Sequence, residues 1–197
     1  MKGTYVLKGC GGHARSVADA ILADNPDAEI LFVDDNAKPG EMIIGFSAVT
    51  EMPPGDYPVI LASGDNQRRK DESANHNIRS YISQTAHIGK DSSVQEGCFI
   101  GCGAHVGPDT IIGKGSIVNT NAVVEHNVVV GKFCHIAPNA TICGGCKLGD
   151  MVLIGAGAVV KPYTTIASGV IVGSGAVVTK NLQVPGKYIG SPARRLS

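Results

Sequence analysis

The chain has 197 residues, of which 43% are hydrophobic and 17% charged, and its formal net charge is zero. This hydrophobic content excludes a disordered chain, and the balanced charge argues against a general nucleic-acid or anionic-membrane surface. No apolar run approaches the ~20 residues of a membrane span. The sequence begins directly with a strand-like segment and shows no signal-peptide pattern, so a cytoplasmic protein is expected. The 26 glycines are the unusual feature.

The first eighty residues alternate predicted strands with predicted helices. Strands are expected at Thr4–Lys8, Glu29–Val33 and 58–62, with a helix over 14–22 and a polar helix around Arg68. Such alternation is typical of a small α/β unit with a parallel sheet, of the Rossmann-like kind.

A glycine-rich turn and an acidic pair follow the first two predicted strands. The turn from Gly9 to His13 has the sequence GCGGH, which lets backbone amides and a helix N-terminus approach a phosphate. It lacks the last glycine of the dinucleotide-binding GxGxxG pattern, because Ala14 stands there. Asp34 and Asp35 follow the second strand, where an acidic residue contacts a ribose hydroxyl or merely ends the strand in solvent. Nucleotide binding is therefore one of two interpretations of this region.

From Ile82 onward the sequence has a period of six residues. Every sixth position from Ile82 to Val178, seventeen in all, is Ile, Leu or Val without an insertion, and the fourth residue after each is small or valine. This period fits neither an α-helix nor a simple alternating strand. It predicts short strands joined by tight corners, with aliphatic side chains stacked inside and glycine at the corners.

The repeat resembles that of the hexapeptide-repeat acyltransferases. This resemblance implies a left-handed parallel β-helix over residues 81–197, preceded by the small α/β domain over residues 1–80. With the GxGGH turn and the acidic pair, the chain is similar to the sialic-acid O-acetyltransferases and, more closely, to the UDP-4-amino-sugar N-acetyltransferases. The resemblance implies a homotrimer with active sites between subunits. It also implies acetyl-CoA-dependent acetylation of the 4-amino group of a UDP- or dTDP-linked amino-deoxy sugar in surface glycan synthesis.

The same resemblance assigns binding residues to both substrates. The nucleotide-sugar contacts that it implies are Gly11, Gly12, His13, Asp34, Asp35, Gly64 and Asn119. The acetyl-CoA contacts that it implies are His135, Gly144, Ala156 and Ser174, with a backbone amide near Gly144 holding the oxyanion. Basic side chains near the C-terminus could meet coenzyme phosphates or simply face solvent; they are Lys180, Arg194 and Arg195.

His126 is the predicted catalytic residue. It ends the segment NTNAVVEH, which matches the catalytic segment of the family. An imidazole with a pKa of about 6.5 is suited to accept a proton from an attacking amine near neutral pH. Asn127 follows where the similar N-acetyltransferases have an acidic residue, and an amide supplies no negative charge. The choice between an amine and a hydroxyl acceptor, and the group that orients His126, remain open at this point.

Other functions compete with this assignment. Six cysteines without an export signal are expected to be free thiols. The pair Cys143 and Cys146 could be redox-active or half of a zinc site, but Cys98, Cys134 and Cys146 fall on the small interior position, which favours packing. No metal is therefore expected. The alternatives are O-acetylation of a sialic acid or related sugar, a non-catalytic trimeric scaffold that senses nucleotide, and a β-helical carbonic anhydrase, which would need three metal-binding histidines.

Overall fold

The computed structural model describes residues 4–55 and 57–196, which fold into an α/β unit followed by a triangular β-helix. The elements of the α/β unit are β1 (Thr4–Lys8), α1 (Gly12–Asp24), β2 (Glu29–Val33), β3 (Met42–Ile43), β4 (Phe46–Val49), β5 (Val59–Leu61) and α2 (Asn66–Ser73).

The α/β unit is built on a five-stranded sheet with the order β3-β4-β2-β1-β5. Strands β5, β1, β2 and β4 run parallel, as the alternation predicts, and only the β3–β4 hairpin is antiparallel. The sequence does not predict this hairpin, because two-residue strands show no alternation. Helix α1 begins at Gly12, two residues before the predicted start, and α2 ends at Ser73, so His76 lies outside the polar helix where it was expected.

The β-helix is formed by very short strands, nearly all of two residues. They are β6 (Tyr81–Ile82), β7 (His87–Ile88), β8 (Ser93–Val94), β9 (Phe99–Ile100), β10 (His105–Val106), β11 (Ile111–Ile112), β12 (Ile117–Val118), β13 (Val123–Val124), β14 (Val129–Val130), β15 (His135–Ile136), β16 (Thr141–Ile142), β17 (Lys147–Leu148), β18 (Leu153–Ile154), β19 (Val159–Val160), β20 (Thr165–Ile166), β21 (Val170–Val172), β22 (Val177–Val178), β23 (Gly186–Ile189) and β24 (Arg194–Arg195).

These strands stack into three faces. The first face has the order β24-β23-β21-β18-β15-β12-β9-β6, the second β22-β19-β16-β13-β10-β7 and the third β20-β17-β14-β11-β8. Neighbouring strands are parallel, apart from β23 and β24, and partners along the helix lie 18 residues apart, as in the pair of Val106 with Val124. Three hexapeptides therefore make one coil.

The predicted phase of the repeat agrees with the structure. The aliphatic positions from Ile100 to Val178 are buried and form one core cluster with the small residues between them. Ile82 is 42% exposed, and Ile88 and Val94 are only half-buried. These three residues lie in the terminal strands β6, β7 and β8, where no preceding coil covers the interior.

All six cysteines are free thiols. Cys98, Cys134 and Cys146 occupy the interior of the β-helix, as the packing interpretation predicts. Burial raises the pKa of Cys98 to about 11 and that of Cys134 to about 12, which keeps both sulfurs protonated and unreactive. Within residues 4–55 and 57–196, no group of three or more metal-ligating side chains is arranged around a common point, and no helix is long and apolar enough to cross a membrane.

The α/β unit packs on the first face of the β-helix. Phe99 and Ile117, which point outward from this face, belong to the same core cluster as Leu7 and Phe32. The corner between the second and third faces, which we call the far corner, lies opposite this interface. It consists of residues 107–110, 125–128, 143–146 and 161–164.

Arg69 joins the two units by a set of buried hydrogen bonds. Its guanidinium is fully buried and donates to the carbonyl oxygens of Gly115 (2.9 Å), Phe133 (3.2 Å) and Cys134 (2.9 Å) in the β-helix. It also donates to the carbonyl oxygen of Ser63 at 3.2 Å. Burial lowers the pKa of Arg69 to about 10, so the group stays charged at neutral pH.

Candidate active site

A cavity of about 240 Å³ lies at the carboxyl edge of the parallel sheet in the α/β unit. It forms where the chain leaves β1, β2 and β5, which is where open α/β sheets bind ligands. Its lining residues are Gly9, Gly11, Gly12, His13, Asp34, Ala62, Ser63, Gly64 and Arg68. Five of the seven residues predicted to bind the nucleotide-sugar therefore meet in one place.

The glycine turn shapes this cavity through its backbone. Gly9 has φ +122°, and a Cβ there would lie 3.1 Å from the Ala62 carbonyl, so the two chain segments approach closely only without a side chain. Gly11 and Gly12 face open space. Gly11 is the N-cap of α1 and offers no side-chain acceptor, so the first amides of the helix are available to an anion.

Asp34 organises the cavity wall. Its carboxylate accepts hydrogen bonds from the Cys10 and Asn36 amides, each at 3.0 Å, and forms a 2.8 Å ion pair with Arg68. Burial alone would raise the pKa of Asp34, but the Asn36 amide and Arg68 outweigh it and lower the pKa to about 2. The carboxylate is thus permanently charged and holds Arg68 at the cavity.

Asp35 lies apart from this cavity. Its carboxylate pairs with the Lys8 ammonium at 2.8 Å and is 78% exposed. Together with Lys8 and Arg68 it lines a second cavity of about 310 Å³, next to the first. The predicted acidic pair is therefore divided between two neighbouring depressions.

His13 and His135 meet at the boundary between the two units. Their ring centroids are 5.8 Å apart, and His13 also contacts Phe99 edge-on. Nδ1 of His135 donates to the Gly64 carbonyl at 3.1 Å, and Nε2 lies 3.2 Å from the Asn119 amide nitrogen, whose hydrogen it accepts. This pairing links a predicted coenzyme residue, His135, to the predicted nucleotide-sugar residues.

Both of these histidines are neutral in the folded protein. Burial, reinforced by the neighbouring His135 and Arg69, lowers the pKa of His13 to about 3. Burial and Arg69 lower the pKa of His135 to about 4, although the hydrogen bond to Gly64 opposes this change. Nε2 of His13 is buried and has no hydrogen-bond partner within the described ranges.

His126 lies on the far corner, exposed, and its ring orientation is fixed by the next residue. Nδ1 of His126 is 2.9 Å from the side-chain oxygen of Asn127. Because that oxygen can only accept, Nδ1 carries the hydrogen and Nε2 presents a lone pair. Asn127 has φ +56°, a left-handed conformation that asparagine tolerates, and this turns its side chain toward the ring. The orienting group left open by the sequence is therefore the asparagine itself.

Gly144 lies one coil beyond His126 on the same corner. A Cβ at Gly144 would collide with Nε2 and Cε1 of the His126 ring, so the ring occupies the space that a side chain would fill. The amides of Cys143 and Gly145 donate to Val160 and His126, whereas that of Gly144 donates to no group in the described part of the chain. A basic nitrogen and a free backbone N–H thus stand side by side, the combination that acyl transfer requires.

The remaining predicted coenzyme residues lie at another corner. Ala156 follows β18 and Ser174 follows β21, both between the first and second faces, and they are linked through the Gly175 amide and the Ala156 carbonyl at 2.9 Å. Within one chain they do not meet His126. Lys180, Arg194 and Arg195 are exposed.

Sequence reasoning missed Arg68, Arg69 and Ser63 as parts of this region. The segment Ser63-Gly64-Asp65-Asn66 follows β5, and Asp65 caps α2 by accepting from the Arg68 amide at 2.8 Å. A capping aspartate followed three residues later by arginine could have shown that the first turn of α2 carries Arg68 toward the cavity.

Comparison with known proteins agrees with this architecture. A model of the PglD N-terminal domain matches residues 5–74. A model of the bacterial transferase hexapeptide, six repeats, matches residues 91–126, 109–144 and 145–180. No curated protein sequence matches the chain.

Solved structures extend the similarity over the whole chain. The acetyltransferase domain of PglB from Neisseria gonorrhoeae is 28% identical, with a TM-score of 0.89 and coverage of 98% of this chain and 99% of that one. It has also been solved with acetyl coenzyme A. A histidine-to-asparagine mutant of perosamine N-acetyltransferase from Caulobacter crescentus, in complex with CoA and GDP-perosamine, is 28% identical, with a TM-score of 0.89 and coverage of 100% and 98%.

The fold and the site together define an acyltransferase built on a left-handed β-helix. The chain belongs to the hexapeptide-repeat sugar acyltransferases, as the sequence pattern predicts.

Proposed function

We propose that the protein transfers the acetyl group of acetyl-CoA to the 4-amino group of a nucleotide-linked amino-deoxy sugar, with His126 as the general base. The observation that carries this proposal is the pairing at the far corner of an oriented Nε2 lone pair with the free Gly144 amide. Both similar acetyltransferases support it, because one has been solved with acetyl coenzyme A and the other with CoA and a GDP-linked sugar.

The chemistry is a direct transfer. The acceptor amine attacks the thioester carbonyl carbon while His126 Nε2 takes a proton from the amine nitrogen. The Gly144 N–H donates to the oxyanion that develops on the carbonyl oxygen. When the carbon–sulfur bond breaks, the thiolate of CoA receives a proton, and the amide product forms. An amine is a better nucleophile than a hydroxyl, so a base oriented by the uncharged Asn127 is adequate for it.

The α/β unit would hold the nucleotide part of the acceptor. The uncapped N-terminus of α1 and the open positions at Gly11 and Gly12 provide amides and space for a pyrophosphate. Arg68 adds positive charge at the cavity, although its pairing with Asp34 compensates part of it. The backbone of this cavity does not by itself select UDP, dTDP or GDP.

The two halves of the site require more than one chain. The cavity lies on the side of the first face, whereas His126 and Gly144 lie on the far corner, across the section of the β-helix. We therefore infer a homotrimer in which His126 of one subunit serves the cavity of a neighbour. Closed cyclic assemblies of this kind are common among homo-oligomers.

The test is a thiol-release assay with acetyl-CoA and a panel of UDP-, dTDP- and GDP-linked 4-amino sugars. At least one of these should release CoA thiol with a 1:1 yield of acetylated sugar. His126→Ala should lose most of kcat, by roughly a hundredfold or more. The matched control His105→Ala, at an exposed histidine ladder on the second face, should keep it. Turnover only with a sialic acid or another hydroxyl acceptor would overturn the N-acetyltransferase assignment in favour of O-acetylation.

A further inference from the structure

Tyr163 has a backbone conformation that its side chain disfavours. Its φ is +58°, in the left-handed region that bulky residues rarely adopt, and its ring is 78% exposed. Asn127 and Asp109 adopt the same conformation at equivalent places on the far corner, but these residue types tolerate it. A large, strained and exposed aromatic residue is unusual unless its ring contacts a ligand or partner.

Two other bulky residues with positive φ have an evident reason. Phe133 is only 7% exposed, and its carbonyl accepts from Arg69 of the α/β unit. The Met151 carbonyl accepts from Asn66 at 3.1 Å, so this corner is also covered by the α/β unit. Tyr163 faces away from that unit, and nothing in the described ranges buries it.

The Tyr163 ring lies beside the catalytic pair. A Cβ at Gly145 would be 2.5 Å from Cδ1 of Tyr163, just as a Cβ at Gly144 would collide with His126. The His126 ring extends from the preceding coil and the Tyr163 ring from the following coil. Both rings therefore lie over the adjacent glycines of one coil, and each needs a residue without a side chain beneath it.

The charges along the far corner show which substrate passes Tyr163. Beyond the glycine pair, toward the C-terminus, the exposed charged residues of this corner are Lys161 and Lys180, and both are cationic. Acetyl-CoA has its thioester at one end and phosphates at the other. With the thioester at Gly144, the cationic direction places the phosphates beyond Tyr163 and the intervening arm against its ring.

We propose that the Tyr163 ring forms a wall of the acetyl-CoA site and packs against the pantetheine arm next to the thioester. This inference rests on the proposed function. The ring offers a flat apolar surface to the methylene and amide groups of the arm, and the hydroxyl is not needed for this contact. The strain at φ +58° is retained because asparagine or glycine, which fit the backbone better, would remove that surface.

The experiment separates this role from a structural one. Tyr163→Asn and Tyr163→Gly relieve the backbone strain, so the melting temperature should stay the same or rise. The Kd for CoA measured by calorimetry should nevertheless increase about tenfold, the size expected for the loss of one aromatic contact. Tyr163→Phe should bind CoA within about twofold of the parent, and the KM for the amino-sugar should not change in any variant.

Tyr57→Asn, at a half-exposed tyrosine of the α/β unit, is the matched control and should leave CoA binding unchanged. If the parent binds CoA and Tyr163→Asn binds it equally well, the role of Tyr163 is wrong while the proposed function stands. If the parent does not bind CoA, the proposed function fails as well. A change in the KM for the amino-sugar alone would place Tyr163 in the acceptor site and overturn the inference.

Discussion

At the scale of single residues, the site depends on one hydrogen bond between neighbours. Asn127 accepts from Nδ1 of His126 at 2.9 Å and so fixes the tautomer in which Nε2 can accept a proton. An acidic residue at this position would do the same and also stabilise the imidazolium. Asn127 is thus a positioning residue that orients the base without adding charge.

Substitution of Asn127 should separate orientation from charge. Asn127→Gly keeps the left-handed backbone but removes the acceptor, so kcat should fall roughly ten- to a hundredfold with little change in substrate KM. Asn127→Asp should retain activity and move the acidic limb of the pH–rate profile to higher pH, because a neighbouring carboxylate raises the pKa of His126. An Asn127→Gly enzyme with normal kcat and an unshifted profile for Asn127→Asp would exclude the positioning role.

At the scale of elements, the sequence predicts what repeats and misses what does not. The period from Ile82 to Val178 gives the phase of the β-helix, because each aliphatic side chain meets its equivalent 18 residues away. The β3–β4 hairpin and the contacts of Arg69 have no period. Arg69 stands in a helix of mostly polar residues, and only the packing of α2 on the first face shows that it is buried.

Arg69 should therefore be decisive for stability although it is not at the catalytic corner. Arg69→Met removes hydrogen bonds to Gly115, Phe133 and Cys134 and leaves buried carbonyl oxygens unsatisfied. The free energy of unfolding should fall by about 3 kcal/mol or more, measured by urea denaturation at neutral pH. Lys70→Met, at the exposed next residue of the same helix, should change it by less than about 0.5 kcal/mol. Equal effects of the two substitutions would show that Arg69 does not hold the units together.

At the scale of the whole molecule, residues that the motifs suggest belong together lie far apart. Gly12 and Asp34 line the cavity beside the first face, while His126 and Gly144 lie on the far corner. Sequence motifs identify such residues but carry no information about which chain contributes each. The structure of one chain shows the separation, and the account therefore requires a neighbouring subunit to complete the site.

Mixed trimers test this central claim most directly. Gly12→Asp places a carboxylate in the open cavity at the first turn of α1, where it suits the helix but repels a phosphate, and His126→Ala removes the base. Each variant alone should be inactive, with Gly12→Ala as an active control. Trimers that contain both variant chains, purified through two different tags, should release CoA thiol well above the sum of the two inactive enzymes. If each site were formed within one chain, every site in the mixture would carry a defect, and the absence of regained activity would contradict the account.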